Sequence, residues 1–198
     1  MVRIIGITGG IASGKSTVTE FLRQQGYQVI DADQVVHELQ ELGGRLYQAL
    51  LSAFGPAILQ EDGRLDRPKL GTMIFGNSEL LAQSSQIQNQ IIREELAGRR
   101  DMLAEMEDIF FMDLPLLFEL QYEEWFDQIW LVDVTEETQL SRLMTRNALS
   151  QEEAEKRIAA QLSLQEKRKR ADVLIDNNGP LEETRQQIRD ALQKLERR

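Results

Sequence analysis

The segment Gly9-Gly10-Ile11-Ala12-Ser13-Gly14-Lys15-Ser16 constrains the fold of this chain more than any other. It fits the spacing G-x-x-x-x-G-K-[ST]. The apolar run Ile4-Ile5-Gly6-Ile7 stands before it and reads as a buried strand, Val2–Thr8. A helical pattern follows from about Gly14 to Gln25, stopped by Gly26. Strand, glycine-rich loop and helix in that order make a cradle for phosphate. The glycines allow tight backbone approach and positive φ, the loop amides gather into an anion nest, and the helix start adds the positive end of its dipole. Lys15 is expected to reach the β- and γ-phosphates of ATP, Ser16 to offer its hydroxyl to Mg²⁺, and Thr17 to touch the α-phosphate. The alternative is a glycine-rich turn with no ligand, and the flanking strand and helix argue against it.

The rest of the chain extends the same alternation. Tyr27–Asp31, Ile109–Asp113, Ile129–Val134 and Val173–Asp176 read as further strands, and Leu181–Leu195 as a closing amphipathic helix entered through Pro180. Short apolar runs separated by helical patterns predict an α/β fold: a parallel five-stranded sheet of the P-loop NTPase type, flanked by helices. Two stretches lie outside the alternation. Residues 39–107 hold helical patterns broken at Gly43-Gly44, Gly55-Pro56, Asp62-Gly63 and Gly76-Asn77, and no convincing strand. They are expected to form a helical insertion that carries the acceptor. Residues 136–170 are polar and charged, with Ser150 and Glu153 spaced as a capping box, and read as a lid. Core segments of about 1–38, 108–135 and 171–198 complete a single domain.

Composition narrows the chemistry. The 198 residues contain no cysteine, which excludes disulfides, zinc–thiolate sites and thiol nucleophiles. A net charge of −10 argues against nucleic acid as a partner, since broad binding needs a basic footprint. No stretch approaches a membrane span, and a soluble cytoplasmic protein is expected. A GTP switch would carry D-x-x-G early and N-K-x-D later. Here D-x-x-G occurs only at Asp176-Asn177-Asn178-Gly179, and N-K-x-D is absent. The chain therefore reads as a small kinase that uses ATP with Mg²⁺. Its oligomeric state is not set by these features.

Several side chains are candidates for the chemistry. Asp33 follows the second strand, at the carboxyl edge of the sheet where α/β ligands bind, and suits a base that takes the acceptor's proton. Its alternative is a cap for the next helix. Asp31 could orient Asp33, contact Mg²⁺ through water, or anchor the loop. Asp113, at the end of the third strand, is either a Mg²⁺-linked carboxylate or a bystander. Arg142 and Arg146 stand four apart on one helix face and could close over the phosphates, Arg142 being the stronger candidate. Lys167-Arg168-Lys169-Arg170 reads as a solvated helix or as help with anionic substrates, and His37, Trp125 and Trp130 as structural.

The chain also resembles a family over nearly its full length. Ile5–Ser16, Asp31-Ala32-Asp33, Gly63-Arg64-Leu65-Asp66-Arg67, Leu114-Pro115-Leu116-Leu117-Phe118-Glu119, Arg157 with Gln161, and Ala171–Gly179 look, in order, like the motifs of dephospho-CoA kinase. Ala12 stands where glycine is common, and Asn89-Gln90 where the family often has His-Pro. The resemblance implies phosphorylation of the ribose 3′-hydroxyl of dephospho-CoA by ATP, the last step of coenzyme A synthesis. It implies catalytic roles for Lys15, Asp33 and Arg142. It places ATP on Gly9, Gly10, Ile11, Ala12, Ser13, Gly14, Lys15, Ser16, Thr17 and Asn178, and the acceptor on Asp31, Asp33, Arg67 and Leu116. A nucleotide or nucleoside kinase of related fold, or a nucleotide-dependent binding switch, are the alternatives.

Overall fold

The structure, a computed structural model, describes residues 2–196. Met1, Arg197 and Arg198, the outer ends of the expected core segments, lie outside the described residues. In chain order the elements are β1 (Arg3–Gly9), α1 (Lys15–Gln24), β2 (Val29–Asp31), α2 (Ala32–Leu39), α3 (Arg45–Phe54), α4 (Arg67–Ile74), α5 (Ser78–Ala104), β3 (Ile109–Asp113), β4 (Gln128–Asp133), α6 (Glu136–Asn147), α7 (Gln151–Ala159), α8 (Leu164–Arg170), β5 (Val173–Asp176) and α9 (Leu181–Glu196). They fall into two compact units, Asp31–Met102 and the residues on either side of it.

The flanking unit holds the sheet, in the order β2-β3-β1-β4-β5. β1 is central and pairs in parallel with β3 on one side and β4 on the other, and β5 runs parallel to β4. A central strand is buried on both faces, which is why β1 reads as a continuous apolar run. Ile5, Ile7, Phe111, Trp130 and Val132 from the strands pack with Val18, Phe21 and Leu22 of α1 and Ile188, Ala191, Leu192 and Leu195 of α9. Burying one such side chain contributes about 1.5–3 kcal/mol. Trp130 is fully buried, with its ring edge-on to Phe111 at 5.3 Å. β2 starts at Val29, two residues later than the pattern suggests, and Tyr27 packs beside it through its ring and hydroxyl. The ring meets Phe111 edge-on at 5.4 Å and the hydroxyl donates to Glu196 at 2.9 Å. Burial and the Glu196 carboxylate push the Tyr27 phenol up to about 12.

The second unit is helical, and no named strand lies in residues 39–107. Only an isolated antiparallel bridge, Leu59 with Leu65, closes the turn there. Gly63 sits at φ +82 in that turn, and its carbonyl accepts from the Tyr47 hydroxyl at 2.7 Å. α3 and α5 are tied by Arg45 to Glu94 at 2.7 Å, and α2 and α5 by Arg99 to Glu38 at 2.7 Å. The Arg99 guanidinium holds the Glu38 carboxyl below its ordinary value. α5 runs 27 residues without a break, straight through Asn89 and Gln90. A proline at Gln90 would remove a backbone donor and clash with the preceding turn. Glutamine keeps the ladder intact, and its side chain donates to Glu94 at 3.1 Å.

Residues 136–170, expected to form a lid, fold as three helices, α6, α7 and α8. Ser150 and Glu153 form the expected capping box at the start of α7. Within the basic run, Lys169 and Arg170 are exposed as expected of a solvated face, but Lys167 and Arg168 are not. Lys167 is fully buried, with Nζ 2.9 Å from Glu119 and 3.3 Å from the Pro115 carbonyl. Arg168 donates to Asp133 at 2.7 Å, and Arg170 pairs with Glu123 and lies over the Phe118 ring. These side chains tie α8 to β4 and to the connection between β3 and β4.

Candidate active site

The glycine-rich loop joins β1 to α1, as its sequence predicts. Gly14 is the N-cap of α1 at φ +87 and supplies no side-chain cap. The first amides of a helix have no intrahelical partner, so those at the start of α1 remain for an anion. Not every loop amide is so placed. Ile11 N–H donates to Gln161 Oε1 at 2.8 Å, and Ser13 N–H to the Gly10 carbonyl at 3.0 Å. Thr17 N–H is taken by the Gly14 carbonyl at 3.0 Å. At Ile11, Ser13 and Thr17, the last already in α1, the amide is therefore used within the protein.

Ala12 occupies the left-handed region, at φ +60. That conformation costs an L-residue about 1–2 kcal/mol, against about 0.5–1 kcal/mol of extra unfolded-state entropy for glycine. Ala12→Gly should therefore raise the thermal midpoint by about 1–3 °C for a chain of this size. A lower midpoint would show that the methyl group makes a contact worth more than its strain.

Lys15 stands over the end of β3. Its Nζ is 3.5 Å from Asp113 Oδ1, and Asp113 is 6% exposed. Strand register explains the meeting, because Asp113 is paired with Ile7 on β1, shortly before the loop. Ser16 is exposed in the first turn of α1. No group of three or more His, Cys, Asp or Glu suited to a metal occurs among the described residues. A magnesium ion held chiefly by phosphate oxygens and water needs only one or two protein ligands. The Ser16 hydroxyl and the Asp113 carboxylate are of the right chemistry for that.

Three residues without an expected role of their own hold the loop from outside, or help to. Gln139 of α6 is 3% exposed and donates through Nε2 to the Ile11 carbonyl at 2.9 Å. Asn177 is buried, and its Nδ2 donates to the Ser13 carbonyl at 2.8 Å. Thr184 of α9 in turn donates to Asn177 Oδ1 at 3.0 Å. Arg142 and Arg146 part company despite their spacing. Arg142 donates to the Asn177 carbonyl at 2.9 Å, beside the loop, whereas Arg146 is exposed and bonds its neighbour Asn147. Asn178 is exposed, accepting Thr135 N–H at 2.9 Å and donating to Asp176 at 2.6 Å. Arg157 is exposed on α7. Of the segment after β3, Leu114, Leu117 and Phe118 are buried while Leu116 remains 38% exposed.

In the helical unit, Asp31 is the N-cap of α2. Its Oδ1 accepts the amides of Asp33 at 3.0 Å and Gln34 at 3.1 Å. The capping role weighed for Asp33 thus belongs to Asp31. Asp33 is exposed, and its carboxylate has no hydrogen bond or ion pair among the described residues. His37 lies one turn further along α2 and receives a hydrogen bond from Arg67 at Nδ1, 3.0 Å away. Arg67 opens α4, just after the N-cap Asp66.

With this geometry in place, comparison with known proteins is decisive. The dephospho-CoA kinase family model matches residues 3–183. The chain belongs to the dephospho-CoA kinase family. A dephospho-CoA kinase of Streptococcus mutans is 60% identical over 196 residues, covering 99% of each chain. Among solved structures, TT1252 from Thermus thermophilus is 34% identical with a TM-score of 0.83, and the dephospho-CoA kinase from Campylobacter jejuni is 28% identical with a TM-score of 0.76. Each match covers 98% of this chain and 98% of the other. Membership of the dephospho-CoA kinase family thus extends over the loop, the helical unit and helices α6 to α8 alike. No helix among the described residues is long and apolar enough to cross a membrane.

Proposed function

We infer that the chain transfers the γ-phosphoryl group of ATP to the ribose 3′-hydroxyl of dephospho-CoA, giving CoA and ADP. The observation that carries this is the 60% identity to a dephospho-CoA kinase along 99% of both chains. Divergence of that size over a whole chain, with a phosphate loop intact, is a likeness of enzyme to enzyme and not of one shared motif.

The roles are assigned from the family likeness together with the positions of the side chains. ATP lies with its phosphates along the loop from Gly9 to Thr17, and Asn178 contributes at the turn after β5. Lys15 holds the β- and γ-phosphates, drawing away from Asp113 to do so, and Ser16 is a ligand for the Mg²⁺ that accompanies ATP. That ion neutralises phosphate charge and helps to orient the γ-phosphoryl group. Arg142, already fixed beside the loop through Asn177, stabilises the charge that grows on the transferring phosphoryl oxygens. Asp33 orients the 3′-hydroxyl and takes its proton as the new O–P bond forms and the bond to the β–γ bridging oxygen breaks. Asp31 holds the first turn of α2 and so the base. Arg67, held by His37, offers positive charge to the acceptor's diphosphate, and Leu116 offers apolar surface to the acceptor. An apolar groove of about 480 Å³ along α4, lined by Pro68, Gly71, Thr72 and Phe75, suits the pantetheine arm beyond that diphosphate.

This reading keeps the domain scheme of a core, a helical acceptor-binding insertion over about 39–107 and a lid over about 136–170. It places the reaction in the cytoplasm, where ATP is available, with no nucleic acid or membrane partner. The test is a coupled ADP-release assay with ATP, Mg²⁺ and dephospho-CoA, with mass spectrometry of the product. Acceptor-dependent release and a product of the mass of CoA are expected. Release with nucleoside monophosphates but not with dephospho-CoA would point to a nucleotide kinase, and release independent of any acceptor to a switch.

A further inference from the structure

Ile11 has both of its backbone polar groups taken by side chains from distant segments. Gln161, just beyond α7, accepts its N–H at 2.8 Å, and Gln139 donates to its carbonyl at 2.9 Å. The direction of each amide is set by what it holds, since a carbonyl accepts only from the NH₂ end and an N–H donates only to the oxygen end. The loop leaves room for these contacts. A Cβ at Gly10 would stand 2.4 Å from Gln139 Nε2, and one at Gly14 would stand 2.2 Å from Asn177 Nδ2. Asn177 donates to the Ser13 carbonyl at 2.8 Å. Two glycines of the loop therefore seat side-chain amides, apart from any allowance they make for phosphate.

Peptide planarity turns these outer contacts into inner ones. In a trans peptide the carbonyl and the following N–H point in opposite directions and move as one rigid unit. Holding the Ile11 carbonyl outward on Gln139 aims the Ala12 N–H inward. Holding the Ser13 carbonyl outward on Asn177 aims the Gly14 N–H inward. A loop with few backbone bonds of its own has little else to oppose rotation of these peptides.

We propose that Gln139 is a positioning residue for the ATP phosphates, setting the Ile11–Ala12 peptide so that the Ala12 N–H faces the anion nest. Gln161 steadies the preceding peptide from the other side, and Asn177 does for Gly14 what Gln139 does for Ala12. The proposal rests on the loop being an ATP site and not on the identity of the acceptor.

Gln139→Glu and Gln161→Glu form a matched pair. Each adds one negative charge beside the same residue without changing side-chain size. Glu at 139 can no longer donate to the Ile11 carbonyl, whereas Glu at 161 still accepts the Ile11 N–H. ATP affinity is measured by calorimetry with Mg²⁺, which requires no acceptor, and KM is then measured for both substrates. Gln139→Glu should weaken ATP binding about 10- to 100-fold. Gln161→Glu should weaken it no more than about threefold, and KM for dephospho-CoA should hold in both. Gln139→Met keeps the length, lacks the donor and adds no charge, and should weaken ATP about tenfold. It decides the matter if the glutamate variant does not fold. Equal losses in the two glutamate variants would assign the effect to charge alone and overturn the proposal. Unchanged ATP affinity in Gln139→Met would overturn it as well. If dephospho-CoA proves not to be the acceptor, the calorimetric comparison still stands.

Discussion

Lys15→Ala should lower turnover by about 10²–10³-fold, the usual cost of removing one charged group aimed at a phosphoryl or oxyanion transition state. The loss should appear in kcat and in ATP affinity together, because in the proposed mechanism the ammonium meets the β- and γ-phosphates both before and during transfer. Lys15 has a second partner, Asp113, at 3.5 Å. Alanine therefore changes the balance of charge at the end of β3 as well as the loop. Lys15→Arg separates these effects. It keeps a cation beside Asp113, but a planar fork does not replace a compact ammonium in a nest of amides. Its turnover should also fall, with thermal unfolding close to that of the unchanged protein. Near-normal turnover in Lys15→Ala, measured on folded protein, would remove the loop from the chemistry.

Asp33→Asn should lower kcat by about 10²–10⁴-fold, the range covered by general acid–base catalysis. KM for ATP should stay within about threefold, since in the proposed mechanism the carboxylate serves the acceptor. The structure makes this a clean substitution. The cap of α2 is Asp31, which accepts the backbone amide of residue 33 whatever its side chain. Asn is isosteric with Asp, and the side chain is exposed. Stability should change by less than about 0.5 kcal/mol. Loss of ATP binding with kcat preserved would mean that Asp33 faces the nucleotide instead. Asp31→Ala should behave differently, losing about 1 kcal/mol of stability with the cap.

Much of the molecule is legible in the sequence. β3 and β5 run as their apolar patterns indicate, from Ile109 to Asp113 and from Val173 to Asp176. The capping box at Ser150 and Glu153 closes as its spacing implies. Such features depend on residues a few positions apart, where chain geometry leaves few choices. The glycine-rich loop belongs with them, because its amides and the start of α1 are local. The ordered motifs from Ile5 to Gly179 carried the family likeness, which the relatives bear out over the whole chain.

Other assignments needed the tertiary structure. Asp31 and Asp33 are two carboxylates two residues apart, and both suit a helix start. Only the backbone of α2 shows that Asp31 is the cap. The basic run from Lys167 to Arg170 looks solvated because the acids it meets, Glu119, Glu123 and Asp133, lie far back in the chain. Gln139 carries no sequence signal at all. It is one amide on a polar helix, and its partner Ile11 is 128 residues away. The sequence by itself determined the number and order of the strands, the position of the glycine-rich loop and the family. The folded chain decided which loop amides face outward, which carboxylate is left uncommitted and which charges are buried. The physical reason is that each of the latter is set by a contact between segments that only folding brings together.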